Sequence, residues 1–336
     1  MTDDAPVLTH RRGRLAIAEL NRPRAINALT HEMVGLLQAA LDAWATDDSV
    51  ATVALVGAGD RGLCAGGDLV AMHRDARDGT RGSVDFWRDE YALDHAIATF
   101  PKPFVAVMDG VVMGGGVGLS AHARHRVVTE RTRFGLPETR IGFVPDVGGP
   151  WLLSHAPGEL GTHVALTAAT LDGADAIALG AADVLVPADR VAELLTALET
   201  EDVDAVLARL AVEPPGSGLA AAREWADAAY SGDDPEVIVE RLRASDVPAA
   251  HEAADEVEAR SPTAVAVTLA ALRRAATLPD LRTALDQDLH VSTALLDVPD
   301  MAEGIRAQVI DKDRTPRWQP ATLAEVDPEV VRRCLP

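Results

Sequence analysis

Short runs rich in Val, Ile and Ala recur through the first 190 residues of the chain and then stop. "RLAIAEL" (14–20), "TVALVGAG" (52–59), "PFVAVMDG" (103–110), "HRVVTE" (125–130) and "DVLVP" (183–187) read as strands. Between the first two, Leu29, Met33, Leu36, Leu37, Ala40 and Trp44 follow helical spacing, with Thr30 placed to cap them. In "GADAIALGAADVLVP" a helix closes at Gly180 and a strand follows. Such alternation requires an α/β core. From about residue 191 the chain turns to Ala, Leu, Arg and Glu in helical patterns, as in "SPTAVAVTLAALRRA", where serine caps and proline opens the first turn. "EPPGSG" (213–218) reads as a loop. The expected organisation is an α/β core over residues 1–190 and a helical region over 191–336.

The charge balance narrows the partners. Thirty-one Lys and Arg against 52 Asp and Glu leave a net charge of −21, which disfavours nucleic acid and anionic membrane surfaces. "MTDDAPVLTH" lacks the basic and apolar regions of a signal peptide, and no apolar run approaches the roughly 18 residues of a membrane span. Only Cys64 and Cys334 occur, too few for a disulfide framework or a cysteine metal site. A cytoplasmic, membrane-free location is the expectation.

"MGGGVGLSAH" (113–122) puts four glycines into five positions and then becomes apolar and helix-compatible. Glycine is about 1 kcal/mol worse than alanine inside a helix, so the cluster points to backbone in close approach to a ligand or another segment. Unpaired amides at a helix start suit a phosphate, a carboxylate or an oxyanion. Three nucleotide and hydrolase motifs fail here. After Gly114 and Gly116 the third glycine of a dinucleotide fingerprint would fall on Leu119. Neither lysine, Lys102 nor Lys312, follows a glycine as a P-loop demands. Ser120 sits in G-L-S-A-H, which is not a nucleophile elbow. His122 and His125, i and i+3 on an expected helix, lack further ligands for a metal.

Three other segments carry chemistry. "GAGDRGLCAGGDL" (57–69) places Gly66 and Gly67 before a helix start. "FGLPETRIGFVPDVGGP" (134–150) holds Glu138 and Asp146, each after a proline. "FWRDEYALDHAI" (86–97) sets Glu90 on one helical face with Phe86, Leu93 and Ile97. Singly, each has an ordinary explanation: a tight turn, a helix cap, or a glutamate reaching solvent. Together they describe amide donors for an oxyanion and carboxylates for acid, base or nucleophile work.

The combination resembles the crotonase (enoyl-CoA hydratase/isomerase) superfamily through "NRPRAINAL" (21–29), "CAGGDL" (64–69) and "GVVMGGGVGLS" (110–120). The resemblance implies a spiral of ββα turns followed by helices. It also implies that the amides of Gly67 and Gly115 hold the thioester oxygen of an acyl-CoA, and that the segments around Arg24, Ala25 and Ala65 bind CoA. Coenzyme A is then part of the substrate and no other cofactor or metal is required. Trimers or dimers of trimers are the assembly common in the superfamily.

A closer resemblance is to its 3-hydroxyisobutyryl-CoA hydrolase branch, through "EYALD", "MGGGVGLSAH", "PET-IGF-PDVGG" and the tail "EGIRAQVIDKDRTPRWQP" (303–320). On that match Glu90 is a substrate-binding position, and Glu138 and Asp146 are catalytic ones. Hydratases of the superfamily use two glutamates. Here the first of those positions is Gly118 and only the second, Glu138, is retained. The implied activity is hydrolysis of 3-hydroxyisobutyryl-CoA or a close short-chain hydroxyacyl-CoA, as in valine breakdown, with Glu138 as nucleophile or general base. An enoyl-CoA isomerase or hydratase is the alternative, and an acyl-CoA-binding protein without activity a third.

Overall fold

The computed structural model describes residues 5–336. All ten strands among the described residues lie before Val186, and the elements after them are helical. The chain advances in ββα turns. Strands β1 (Val7–Arg12) and β2 (Leu15–Leu20) precede helix α1 (His31–Thr46); β3 (Thr52–Gly57) and β4 (Gly62–Cys64) precede α2 (Leu69–Asp78) and α3 (Gly82–Ala98). Next come β5 (Phe104–Met108) and β6 (Val111–Met113) with α4 (Gly115–Ala121), then β7 (His125–Val128), β8 (Arg133–Gly135), β9 (Thr170–Leu171) and β10 (Val184–Leu185). One sheet has the order β1-β2-β3-β5-β7-β10 and the other β4-β6-β8-β9. Within the six-stranded sheet only the β1–β2 pair is antiparallel. The expected α/β class and ββα progression are therefore observed.

The chain forms two compact units. One holds residues 5–67, Asp89–Phe134 and Leu171–Ser217; the other holds Asp68–Arg88, Gly135–Thr170 and Gly218–Pro336. The position near residue 190 marks where strands cease, whereas the compact units interleave along the chain.

In the first unit one face of the large sheet is aliphatic. Leu15, Ile17, Ala54, Val105, Val107, Val127 and Val186 pack with Leu194, Val206, Leu207 and Leu210, which the later helical segments supply. Each fully buried aliphatic side chain of this kind contributes about 1.5–3 kcal/mol before the entropy of ordering it is subtracted. Thr30 caps α1 as expected, its Oγ1 accepting from the Met33 amide at 3.3 Å. Met33, Val34, Leu37 and Leu41 are the buried face, while Leu36 is 40% exposed and does not belong to it. His122 ends α4 and His125 begins β7, so the two histidines do not share a helix. Strands β4, β6, β8 and β9 are two or three residues long, too short for alternation to reveal.

Asn27 pins the turn that follows β2. It is fully buried with φ +54°, its Nδ2 donates to the carbonyls of Ala58 (3.1 Å) and Gly62 (3.0 Å), and its Oδ1 accepts from the Arg22 amide at 2.9 Å. Asparagine tolerates the left-handed region better than alanine, and three partners, the Gly62 carbonyl fully buried and the other two partly so, lose their mate when it is truncated. Asn27→Ala is expected to lower unfolding free energy by about 3 kcal/mol, read by urea denaturation.

The second unit is helical. Ser261 caps the helix Pro262–Ala275 by accepting from the Ala264 amide at 3.1 Å, with Pro262 in its first turn, as the sequence indicates. Trp87, fully buried at the start of α3, stacks on Phe143 with ring centroids 5.3 Å apart. That stack immediately follows the segment carrying Glu138.

Candidate active site

The first unit holds the glycine-rich segments. Gly66 has φ +101°, and a Cβ there would lie 3.3 Å from the Met113 carbonyl oxygen. A Cβ on Gly116 would lie 2.7 Å from the Cys64 carbonyl oxygen. Two backbones approach this closely only where side chains are missing from both, which explains the paired glycine clusters. Further hydrogen bonds tie the CAGGDL segment to the turn after β2: Leu29 N–H donates to Gly66 O at 2.8 Å and Ala65 N–H to Ile26 O at 2.9 Å. The fold thereby brings Ala65 and Gly67 beside the start of α4, where Gly115 is the first residue. That helix spans only seven residues, so its local amides matter here rather than an extended macrodipole.

Arg24 and Ala25 lie on a short 3-10 turn, Pro23–Ala25, and both are exposed. The guanidinium of Arg61 donates to the Arg24 carbonyl at 3.4 Å, which leaves the Arg24 side chain facing solvent. Glu90 is only 2% exposed on α3, among buried Phe86, Leu93 and Ile97. Its carboxylate lies directly against Gly115, inside the contact distance of any Cβ placed there. The explanation that Glu90 reaches solvent is thus excluded by its position. Cys64 is fully buried, and desolvation with the nearby Glu90 charge pushes its thiol up to about 12. It is no nucleophile at neutral pH.

The second unit holds Glu138 and Asp146. Glu138 opens a 3-10 turn, Glu138–Ile141, after Pro137, and Gly142 closes it in the left-handed region by donating to Glu138 O. Its Oε2 is buried without a hydrogen-bond partner among the described residues. Burial first, and the neighbouring Asp146 second, push its pKa well above the usual carboxylate range. Asp146 is 5% exposed. It does not cap the following helix, Gly149–Ser154, which begins at Gly148 with no side-chain cap. Burial and the like charge of Asp146 both act against the ionised form of Glu138.

Two features escaped the sequence. Asp288, from the helix Leu281–Leu295, is buried beside this pair and accepts from the Gly148 amide at 2.8 Å. Burial and the Asp146 charge push its pKa well up too. A carboxylate 142 residues beyond Asp146 leaves no local signal. The second feature is the tail around Arg306, which pairs with Glu303 (2.8 Å), Asp311 (2.7 Å) and Asp313 (2.7 Å). It folds "DKDRTPRWQ" back so that Gln319 N–H donates to Asp300 at 2.7 Å. A Cβ on Gly142 would overlap the Asp300 carbonyl, and one on Gly304 the Ile141 backbone. The tail therefore buttresses the Glu138 turn by backbone-to-backbone packing. Its motif was visible, but its work was not.

No group of three or more His, Cys, Asp or Glu among the described residues is arranged to hold a metal ion, and no helix among them is long and apolar enough to cross a membrane.

The ββα turns with paired glycine segments and a Pro-Glu turn define the architecture of acyl-CoA enzymes of the crotonase type. The model of the enoyl-CoA hydratase/isomerase family matches residues 15–335, and the chain belongs to that family. It is 36% identical to the 3-hydroxyisobutyryl-CoA hydrolase, mitochondrial, of Gallus gallus, over 98% of this chain and 88% of that one. The Rattus norvegicus protein of the same name is 38% identical with the same coverage. Among solved structures, a carnitinyl-CoA dehydratase from Mycobacterium thermoresistibile is 50% identical with a TM-score of 0.96, covering 99% of this chain and 97% of that chain. An enoyl-CoA hydratase from Rhodobacter sphaeroides is 41% identical with a TM-score of 0.92, over 98% and 97%.

Proposed function

We propose that the chain is an acyl-CoA thioester hydrolase converting 3-hydroxyisobutyryl-CoA and water to 3-hydroxyisobutyrate and CoA. One observation carries the choice within the family: position 118 is glycine while Glu138 is a buried carboxyl adjoining Asp146. The two-glutamate addition of water to a double bond has no proton carrier at residue 118. Hydrolysis needs one carboxylate and an oxyanion site. The names of relatives 36% and 38% identical over nearly the whole chain support the same choice.

In this reading the thioester carbonyl sits against the amides of Gly67 and Gly115, each such donor being worth on the order of 3 kcal/mol as charge grows on the oxygen. Glu138 attacks the carbonyl carbon, expelling CoA as the thiolate, which takes a proton from water, and leaving a mixed anhydride that water opens; or it takes the proton of an attacking water, and the tetrahedral anion collapses to expel the thiolate. Asp146 orients the acyl hydroxyl or that water. Glu90 binds the acyl end, and Arg24, Ala25 and Ala65 serve the CoA portion. No cofactor beyond substrate CoA enters. Both roles of Glu138 need its ionised form, so turnover is expected to rise with pH through a value above the ordinary carboxylate range, as a pH–rate profile of kcat/KM reads.

A hydratase or dehydratase is the second reading, favoured by the names of the solved structures at 50% and 41% identity. Assaying free thiol release across a panel of acyl-CoA esters separates the two. Fast release from short 3-hydroxyacyl esters supports hydrolysis, and no release from any ester removes it. Assembly into trimers or hexamers, and residence in the cytoplasm, complete the reading; sedimentation and cell fractionation test them, the latter because the curated relatives are named mitochondrial.

A further inference from the structure

The turn that carries Asp146 is held in an unfavourable shape. Val147 has φ +54°, a conformation that β-branched residues avoid, and Gly148 follows at φ +76°. Two successive left-handed residues survive only where the surroundings fix them, and such outliers gather at functional sites. On one side the Gly149 amide closes the turn onto Asp146 O at 2.6 Å. On the other, the Gly148 amide is turned toward the helix Leu281–Leu295 and donates to Asp288 Oδ2 at 2.8 Å. Asp288 is 2% exposed, and placing a carboxyl there is costly unless it does something an aliphatic residue does not.

We propose that Asp288 is a positioning residue: by accepting from the Gly148 amide it holds the Val147–Gly148 turn in its left-handed shape and thereby fixes where the Asp146 carboxyl points. Asp288 does not touch substrate. It acts through one backbone hydrogen bond on the residue that does. This rests on the role proposed above for Asp146.

Two substitutions separate the acceptor from the charge. Asp288→Asn removes the charge and keeps an oxygen facing Gly148 N–H; Asp288→Leu removes both. With thiol release from 3-hydroxyisobutyryl-CoA as the readout, kcat is expected within about threefold of wild type for Asp288→Asn and at least tenfold lower for Asp288→Leu. KM is expected to stay within about threefold in both, because the contacts assigned to Glu90 and to the CoA portion are untouched. Equal losses in the two variants, or wild-type kcat in Asp288→Leu, overturn the proposal. A role confined to stability would lower the melting temperature and leave kcat per folded molecule unchanged, which also overturns it. Should Asp288→Leu not fold, Asp288→Ala takes its place: a kcat at least tenfold below that of Asp288→Asn upholds the acceptor role, and equal kcat in the two ends it. Absence of thiol release by the wild-type enzyme would count against the hydrolase reading, an outcome visible before any variant is made.

Discussion

Glu138→Gln is expected to lower CoA release from 3-hydroxyisobutyryl-CoA by at least about a thousandfold while making the folded protein more stable at neutral pH. The first effect follows from chemistry: glutamine can neither attack as a carboxylate nor accept a proton, and loss of a positioned base alone is worth about 10²–10⁴ in rate. The second follows from burial. The carboxyl is almost wholly removed from water, has an oxygen without a partner among the described residues, and adjoins Asp146. Its pKa in the fold is raised above that of the unfolded chain, so the native state binds more protons in the window above the ordinary carboxylate value of 4.5. Stability therefore falls as pH rises through that window. A neutral amide of nearly the same shape escapes the penalty, and a gain of about 1–3 kcal/mol is expected at pH 8. Thermal unfolding at pH 5 and pH 8 checks the sign: the gain should be larger at pH 8. An active Glu138→Gln enzyme would remove this residue from the mechanism.

Gly115→Ala is expected to cost about a hundredfold in kcat. A Cβ at residue 115 collides with the Glu90 carboxylate, so either that side chain turns aside, away from its buried seat, or the start of α4 shifts. The backbone amide assigned to the thioester oxygen moves with the latter, and losing one such donor typically removes 10²–10³ of rate. Glu90→Gly in the same chain opens the space. If the clash is the cause, the double variant recovers folding stability relative to Gly115→Ala, while acyl-chain discrimination weakens because Glu90 is gone. Gly115→Ala with wild-type kcat would show that this amide is not the donor.

Much of this site was legible because its constraints are local. The glycine clusters announce close backbone approach, and the structure uses Gly66 and Gly116 to pack CAGGDL against the α4 start, while Gly115 faces Glu90. Glu90 on an apolar stripe reads correctly as a carboxyl facing inward, since Phe86, Leu93 and Ile97 share its burial. Asp146 illustrates the limit. A proline before an aspartate suggests a cap, yet the capping place went to Gly148, because a buried acceptor from residue 288 holds that amide instead. Long-range partners of this sort have no sequence period. The same holds for the tail, whose motif is visible in the sequence but whose gathering of Glu303, Asp311 and Asp313 around the Arg306 guanidinium is not. Strands β6 and β8 were lost for a different reason: three residues cannot display alternation, and their existence is decided by the neighbours they pair with.

The proposed hydrolase reading turns on Gly118, and relatives named hydrolase, dehydratase and hydratase all match this chain over nearly its whole length. A single preparation of wild-type enzyme, given 3-hydroxyisobutyryl-CoA and crotonyl-CoA separately, tests the matter most directly by following free thiol in the first case and loss of enoyl absorbance in the second. Thiol release with kcat/KM at least about a hundredfold above the crotonyl-CoA rate is the expected result. Rapid consumption of crotonyl-CoA with no thiol released from the hydroxyacyl ester would contradict it.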